Sequence, residues 1–267
     1  MIAPAQFARG RTTLSLRLRS ALSRVFRGLG SWRDPDADRF VGQAVPLVQG
    51  AQRVLATMTS AYNACQASLA LSRVVAPPAV REAAMLNLRT GVTPSQVYRR
   101  PFVTLYTALA NGVPFGAALH RAEHRLEQIA EFDLQQTYAE AARDAMTLLP
   151  EELAPSGWRR VLVGEENCAL CVVAATQRYE VAELNPLHPN CDCRIEPVFD
   201  EVAHVLEPDL LDAVKDAIAE LTGTVDGSLR RHDLRRLLVS MTPEHGELGP
   251  VLVRPRDHFT TAAELPL

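Results

Sequence analysis

Apolar residues recur at steps of three and four through much of the first 150 positions. Between Val45 and Arg73, the residues Val48, Ala51, Leu55, Met58, Tyr62, Cys65 and Leu69 form one stripe, which predicts a helix with a face that must be packed. Cys65 lies on this stripe and reads as a buried apolar thiol. Pro77-Pro78 ends the segment, and a shorter helix is expected over Val80–Leu88.

Thr93-Pro94-Ser95-Gln96 has the form of a helix start, with Thr93 as cap, Pro94 in the first turn and Gln96 reaching back. Asn111-Gly112 reads as a stop. Pro114 then opens the longest candidate. Phe115, Leu119, Ala122, Leu126, Ile129, Tyr138, Ala142, Ala145 and Leu149 keep helical spacing up to Pro150, a rod of about 50 Å. A further stripe of Leu210, Leu211, Val214, Ile218 and Leu221 predicts a helix over Glu207–Leu221.

The first 33 residues differ in charge rather than in period. They hold seven arginines and no acid, and Leu14, Leu16, Leu18, Leu22 and Phe26 are compatible with a short amphipathic basic helix. Two readings stand: a basic arm that orders only against a partner, or a contact for DNA phosphates, an acidic protein or a membrane surface. "RDPDADR" reads as the linker after it. A second basic group, Arg230, Arg231, His232, Arg235 and Arg236, reads as a solvated helix face or a docking patch. The net charge of −3 gives no global sign of nucleic-acid binding.

Composition bounds the class. With 47% apolar and 22% charged residues the chain can bury a core. No run of 18 apolar residues occurs, so no membrane-spanning helix is expected. The N-terminus lacks the apolar stretch of a signal peptide, and a reducing cytosol is the expected place of synthesis.

Four of the five cysteines crowd between Asn167 and Arg194. The pattern is Cys168-x2-Cys171, sixteen residues, then His188-x2-Cys191-x-Cys193, preceded by a strand expected at Arg159–Val163. Thiolates and imidazole in C-x2-C and H-x2-C spacing favour a closed, structural zinc site in a lobe too small for a full core. The alternatives are two disulfides, a redox C-x-x-C, or a catalytic Cys–His pair. The leading ligand set is Cys168, Cys171, His188 and one of Cys191 or Cys193. His120 and His124, one turn apart, read as solvated or half-buried, and His245 and His258 as lone histidines.

The order C-x-x-C … "HPNCDC" followed by "RIEPVF" resembles the closing motif of the phage Mu protein F-like minor head proteins. More narrowly, "RRVL", Tyr179, "EHGELGPVL" at Glu244–Leu252 and His258-Phe259 are similar to the version found in tailed phages of actinobacteria. The resemblance implies a minor capsid protein inside the head at the portal vertex, with portal and major capsid or scaffold proteins as partners. Packaged DNA is a further expected contact of the Arg-rich arm, and no membrane or small-molecule substrate is implied. It would be assembled in the host cytoplasm and carried in the virion.

The residues show no G-x-S-x-G and no H-E-x-x-H, so the expectation is a protein without catalysis. The competing readings are a cytosolic zinc-dependent nucleic-acid-binding module and a capsid maturation protease. The fold class expected is mainly α: a basic arm and linker (1–40), a long-helix bundle (41–150), a small zinc-stapled α+β lobe (151–200) and a helical or extended C-terminal segment (201–267).

Overall fold

The computed structural model describes residues 2–81, 88–89, 91–162, 166–180, 193–199, 204–223, 238–242 and 251–253. The chain divides into two units, one running to Ala154 and the other starting at Pro155.

The first unit is helical: α1 Pro4–Arg27, α2 Asp34–Ala70, α3 Pro94–Tyr98, α4 Arg100–Ala110 and α5 Phe115–Thr147. The Thr93 box forms as expected, with the Gln96 N–H donating to Thr93 Oγ1 at 3.3 Å and the Thr93 N–H to Gln96 Oε1 at 2.8 Å. Gly112 takes φ +74°, the left-handed position that stops α4. The expected helix at Val80–Leu88 falls mostly outside the described residues.

Residues 1–40 are not an arm and linker. Helix α1 buries Phe7, Leu18, Leu22 and Phe26 and packs on both α2 and α5. Phe7 stacks on Tyr62 at 4.2 Å, and Phe26 meets Phe40 and Phe102 edge-on at 5.3 and 5.2 Å. The basic side is tied to α5 by an antiparallel ladder: Ser15 to Glu131, Arg19 to Glu127 at 2.8 Å, and Arg27 to Glu123. The glutamates step by four residues along α5, one turn each, while their α1 partners step by four and then eight.

The expected linker is instead a tight corner that begins α2. Asp36, only 5% exposed, accepts from the Ser31 N–H at 2.7 Å, the Ser31 hydroxyl at 2.8 Å and the Trp32 N–H at 3.0 Å. The Ser31 bonds, foremost the hydroxyl, hold its carboxyl below the ordinary carboxylate range. Trp32 sits at φ +51°, a left-handed conformation that costs a non-glycine residue about 1–2 kcal/mol. Its indole N–H donates to the Phe26 carbonyl at 3.2 Å, and its own carbonyl accepts from Tyr106 Oη at 2.7 Å. Helix α2 also runs through Pro46, which leaves the Gly42 carbonyl without its helical donor. Both residues are exposed, so water can serve there.

Among the described residues, the second unit joins two three-stranded antiparallel sheets to two helices. Strands β1 Gly157–Val161, β3 Arg178–Tyr179 and β4 Arg194–Val198 pair in the order β3-β1-β4. Strands β2 Glu166–Cys168, β5 Leu238–Thr242 and β6 Val251–Val253 form the order β2-β5-β6. Helices α6 Ala169–Ala175 and α7 Pro208–Thr222 pack through Ala169, Val172, Val214 and Ile218.

The expected boundary at residue 200 is therefore corrected. Segments on both sides of it build one unit, since Arg178 N–H donates to the His204 carbonyl at 2.8 Å and Leu206 N–H to the Thr176 carbonyl at 2.7 Å. This unit has apolar burial of its own, so a metal would not have to replace its core. Among the described residues no helix is long and apolar enough to cross a membrane.

Candidate metal centre

Strand β1 reads Gly-Trp-Arg-Arg-Val, and alternation puts Trp158 and Arg160 on one face and Arg159 on the other. Trp158 is 0% and Arg160 3% exposed, whereas Arg159 faces solvent. In the β1–β4 register Arg160 stands opposite Ile195 and Val161 opposite Arg194. One step further along this register, Leu162 lies across from Cys193, the residue that enters β4.

Cys171 sits in the first turn of α6, directly after β2. It is 2% exposed and Cys193 is 5% exposed, and the two belong to one buried cluster with Leu162 packed against it. Cys171 and Cys193, one from each half of the cysteine pattern and more than twenty residues apart in sequence, thus share one buried cluster. Cys168 is the last residue of β2 and pairs with Leu238, so the C-x2-C pair straddles a strand-to-helix junction rather than lying on a single turn. His188 and Cys191 lie outside the described residues, as does the side chain of Cys168. Among the described residues no group of three or more histidine, cysteine, aspartate or glutamate side chains converges.

A buried cation backs the pair. Arg160 Nη1 donates to Cys193 Sγ at 3.5 Å, and its guanidinium lies over the Tyr179 ring at 5.3 Å. Tyr179 Oη in turn donates to the Ala174 carbonyl of α6 at 2.9 Å. A guanidinium withdrawn from water favours negative charge beside it, which is what a cysteine sulfur carries when it binds metal. The donor chemistry of Cys171 and Cys193 therefore fits a zinc ion. Sequence reasoning did not single out Arg160. Its signal was the placement two residues after Trp158 in a strand, on the buried face.

His120, His124 and Cys65 belong to the helical unit. His120 and His124 are exposed on α5, with His124 Nε2 3.0 Å from Gln128 Nε2. His245 and His258 lie outside the described residues. Cys65 is half-buried rather than buried, its Sγ 4.0 Å from the Ile2 carbonyl.

A second polar centre lies inside the helical unit. Asp133, 2% exposed on α5, pairs with Arg89 and accepts from Tyr98 Oη at 2.9 Å. Burial above all raises the Asp133 carboxyl, against the opposing pull of Arg89, and burial likewise pushes Tyr98 well above the ordinary phenol range. Each polar member has a partner. This is the pattern of a satisfied internal network rather than a reactive group. Asp144 is held in the same way by Arg81, whose Nε donates at 2.9 Å.

No family model, curated protein or solved structure matches the chain.

Proposed function

We propose that this chain is a minor head protein of a tailed phage, seated inside the capsid at the portal vertex and acting in head assembly or DNA packaging and ejection without catalysis. One observation carries the reading. Arg160, Cys171, Tyr179 and Cys193, which lie in the stretch that resembles the Mu protein F-like motif, are brought together by one buried cluster and the contacts around it.

In this reading Cys171 and Cys193 hold a structural zinc ion together with Cys168 and His188, or with Cys191 in place of one of them. The ion would tie the β2–α6 junction to the start of β4. Arg160 balances the charge of the thiolates. The helical unit serves as the body that meets portal and capsid or scaffold proteins.

Quantitative mass spectrometry of purified particles and of empty procapsids tests the proposal. A few copies per particle in both supports a component that enters early at the portal. Absence from both removes the virion role.

A further inference from the structure

The arginines of α1 divide into two groups. Arg11 lies over the Tyr138 ring at 4.2 Å, Arg19 bonds Glu127, and Arg27 bonds Glu123. Arg9, Arg17 and Arg24 point outward instead, all exposed. Among the described residues none of these three carries an ion pair with a carboxylate, and Arg24 Nε bonds only the Ser20 carbonyl of its own helix, at 3.4 Å.

Helical spacing puts Arg9, Thr13, Leu16, Arg17, Ser20, Arg24 and Arg27 within an arc of about 100°, with the three outward arginines about 12 and 10 Å apart along the axis. No acidic residue occurs in α1. The carboxylates of Glu127 and Glu131 lie on the flank that faces α5, and Glu123 meets the arc only at its C-terminal end, where it pairs with Arg27. The buried Phe7, Leu18, Leu22 and Phe26 fix the helix, so this face is rigid and already formed.

We propose that the exposed face of α1 is a docking strip for the phosphates of duplex DNA, with Arg9, Arg17 and Arg24 as its contacts. Charge complementarity selects the partner. A duplex is a straight rod with a charge about every 1.7 Å, some 13 phosphates over the 22 Å that the strip covers, and it needs no matched spacing. An acidic protein would need carboxylates at those same intervals. A membrane surface calls for an apolar wedge, and Leu16 is the single large apolar residue on the arc. Binding is expected to be independent of base sequence, since phosphates position a protein but do not specify a site. The strip would act whether or not the chain is a head component.

The test is fluorescence anisotropy of the full chain with a mixed-sequence 30-base-pair duplex across a salt series. Three phosphate contacts give a slope of log K against log salt near −2.7, about a 40-fold loss of affinity between 50 and 200 mM salt. Each of Arg9→Gln, Arg17→Gln and Arg24→Gln should reduce the slope by about 0.9, while Arg100→Gln, on another helix, leaves it unchanged. Circular dichroism should show the fold intact in all of them, because the three side chains are exposed. An unchanged slope in the triple variant overturns the proposal. So does binding to phosphatidylserine vesicles with none to the duplex.

Discussion

Replacing Phe26 by alanine asks directly whether the basic N-terminal segment belongs to the fold. Phe26 is 0% exposed and meets the rings of Phe40 and Phe102 edge-on, so three helices (α1, α2 and α4) converge on one side chain. An aromatic side chain buries roughly 150–250 Å², and at about 25 cal/mol per Å² the part lost on truncation to alanine is worth about 3 kcal/mol. The edge contacts and incomplete collapse of the cavity are already contained in the usual range of about 3–5 kcal/mol measured for such truncations, which is the loss expected here. For a unit of this size each kcal/mol moves the melting temperature by about 2–4 °C, so a fall of about 6–20 °C is expected. Thermal and urea unfolding of the full chain, followed by circular dichroism at the helical band, measures it. If α1 were an arm that orders only on a partner, Phe26→Ala would change stability by no more than about 0.5 kcal/mol. That result would refute the packing described above.

Three further outcomes are expected. Arg89→Met leaves the buried Asp133 carboxylate with Tyr98 alone and should cost about 3 kcal/mol near neutral pH. Because burial raises Asp133, its proton is held more tightly in the folded chain. The penalty is therefore absent below the ordinary carboxylate range and grows as pH rises through the raised value, so urea titrations should show the variant approaching wild type near about pH 4. Thr93→Ala removes the hydroxyl side of the capping box and should lower stability by about 0.5–2 kcal/mol in the same assay. Elemental analysis of chain purified without chelator should find one zinc per chain, and Cys171→Ser should abolish it. Zinc-free wild type with unaltered stability after chelation would sink the metal assignment.

The parts of the fold that were readable in the sequence are those set by neighbours in sequence. The Thr93 box, the Gly112 stop and the limits of α5 each depend on residues within a turn or two, and periodicity suffices for them. Helix α1 was misread because its charge was visible but its partners were not. The carboxylates that neutralise Arg19 and Arg27 lie 108 and 96 residues away. The corner at Ser31–Asp36 looked like a linker because Asp, Pro and Arg are linker residues until a carboxylate finds three donors. Asp133 interrupts an apolar stripe, and pattern alone does not say that Arg89 and Tyr98 complete it. At the candidate metal centre the spacing of Cys171 and Cys193 was legible, while Arg160 emerged only with the strand register.

The ladder between α1 and α5 also sets an order of events during synthesis. Its partners are separated by 96 to 116 residues, and a ribosome adding about 5–20 residues per second needs on the order of 10 s to cover that distance. Through that interval α1 has emerged with its phenylalanines and its unneutralised arginines, and only α2, then Phe102 of α4, is at hand to cover it. The nascent chain therefore passes through a sticky stage that ends when α5 arrives, and the docking of α5 closes the helical unit and neutralises Arg19 and Arg27 in a single step, while Arg9, Arg17 and Arg24 keep their charge on the outer face.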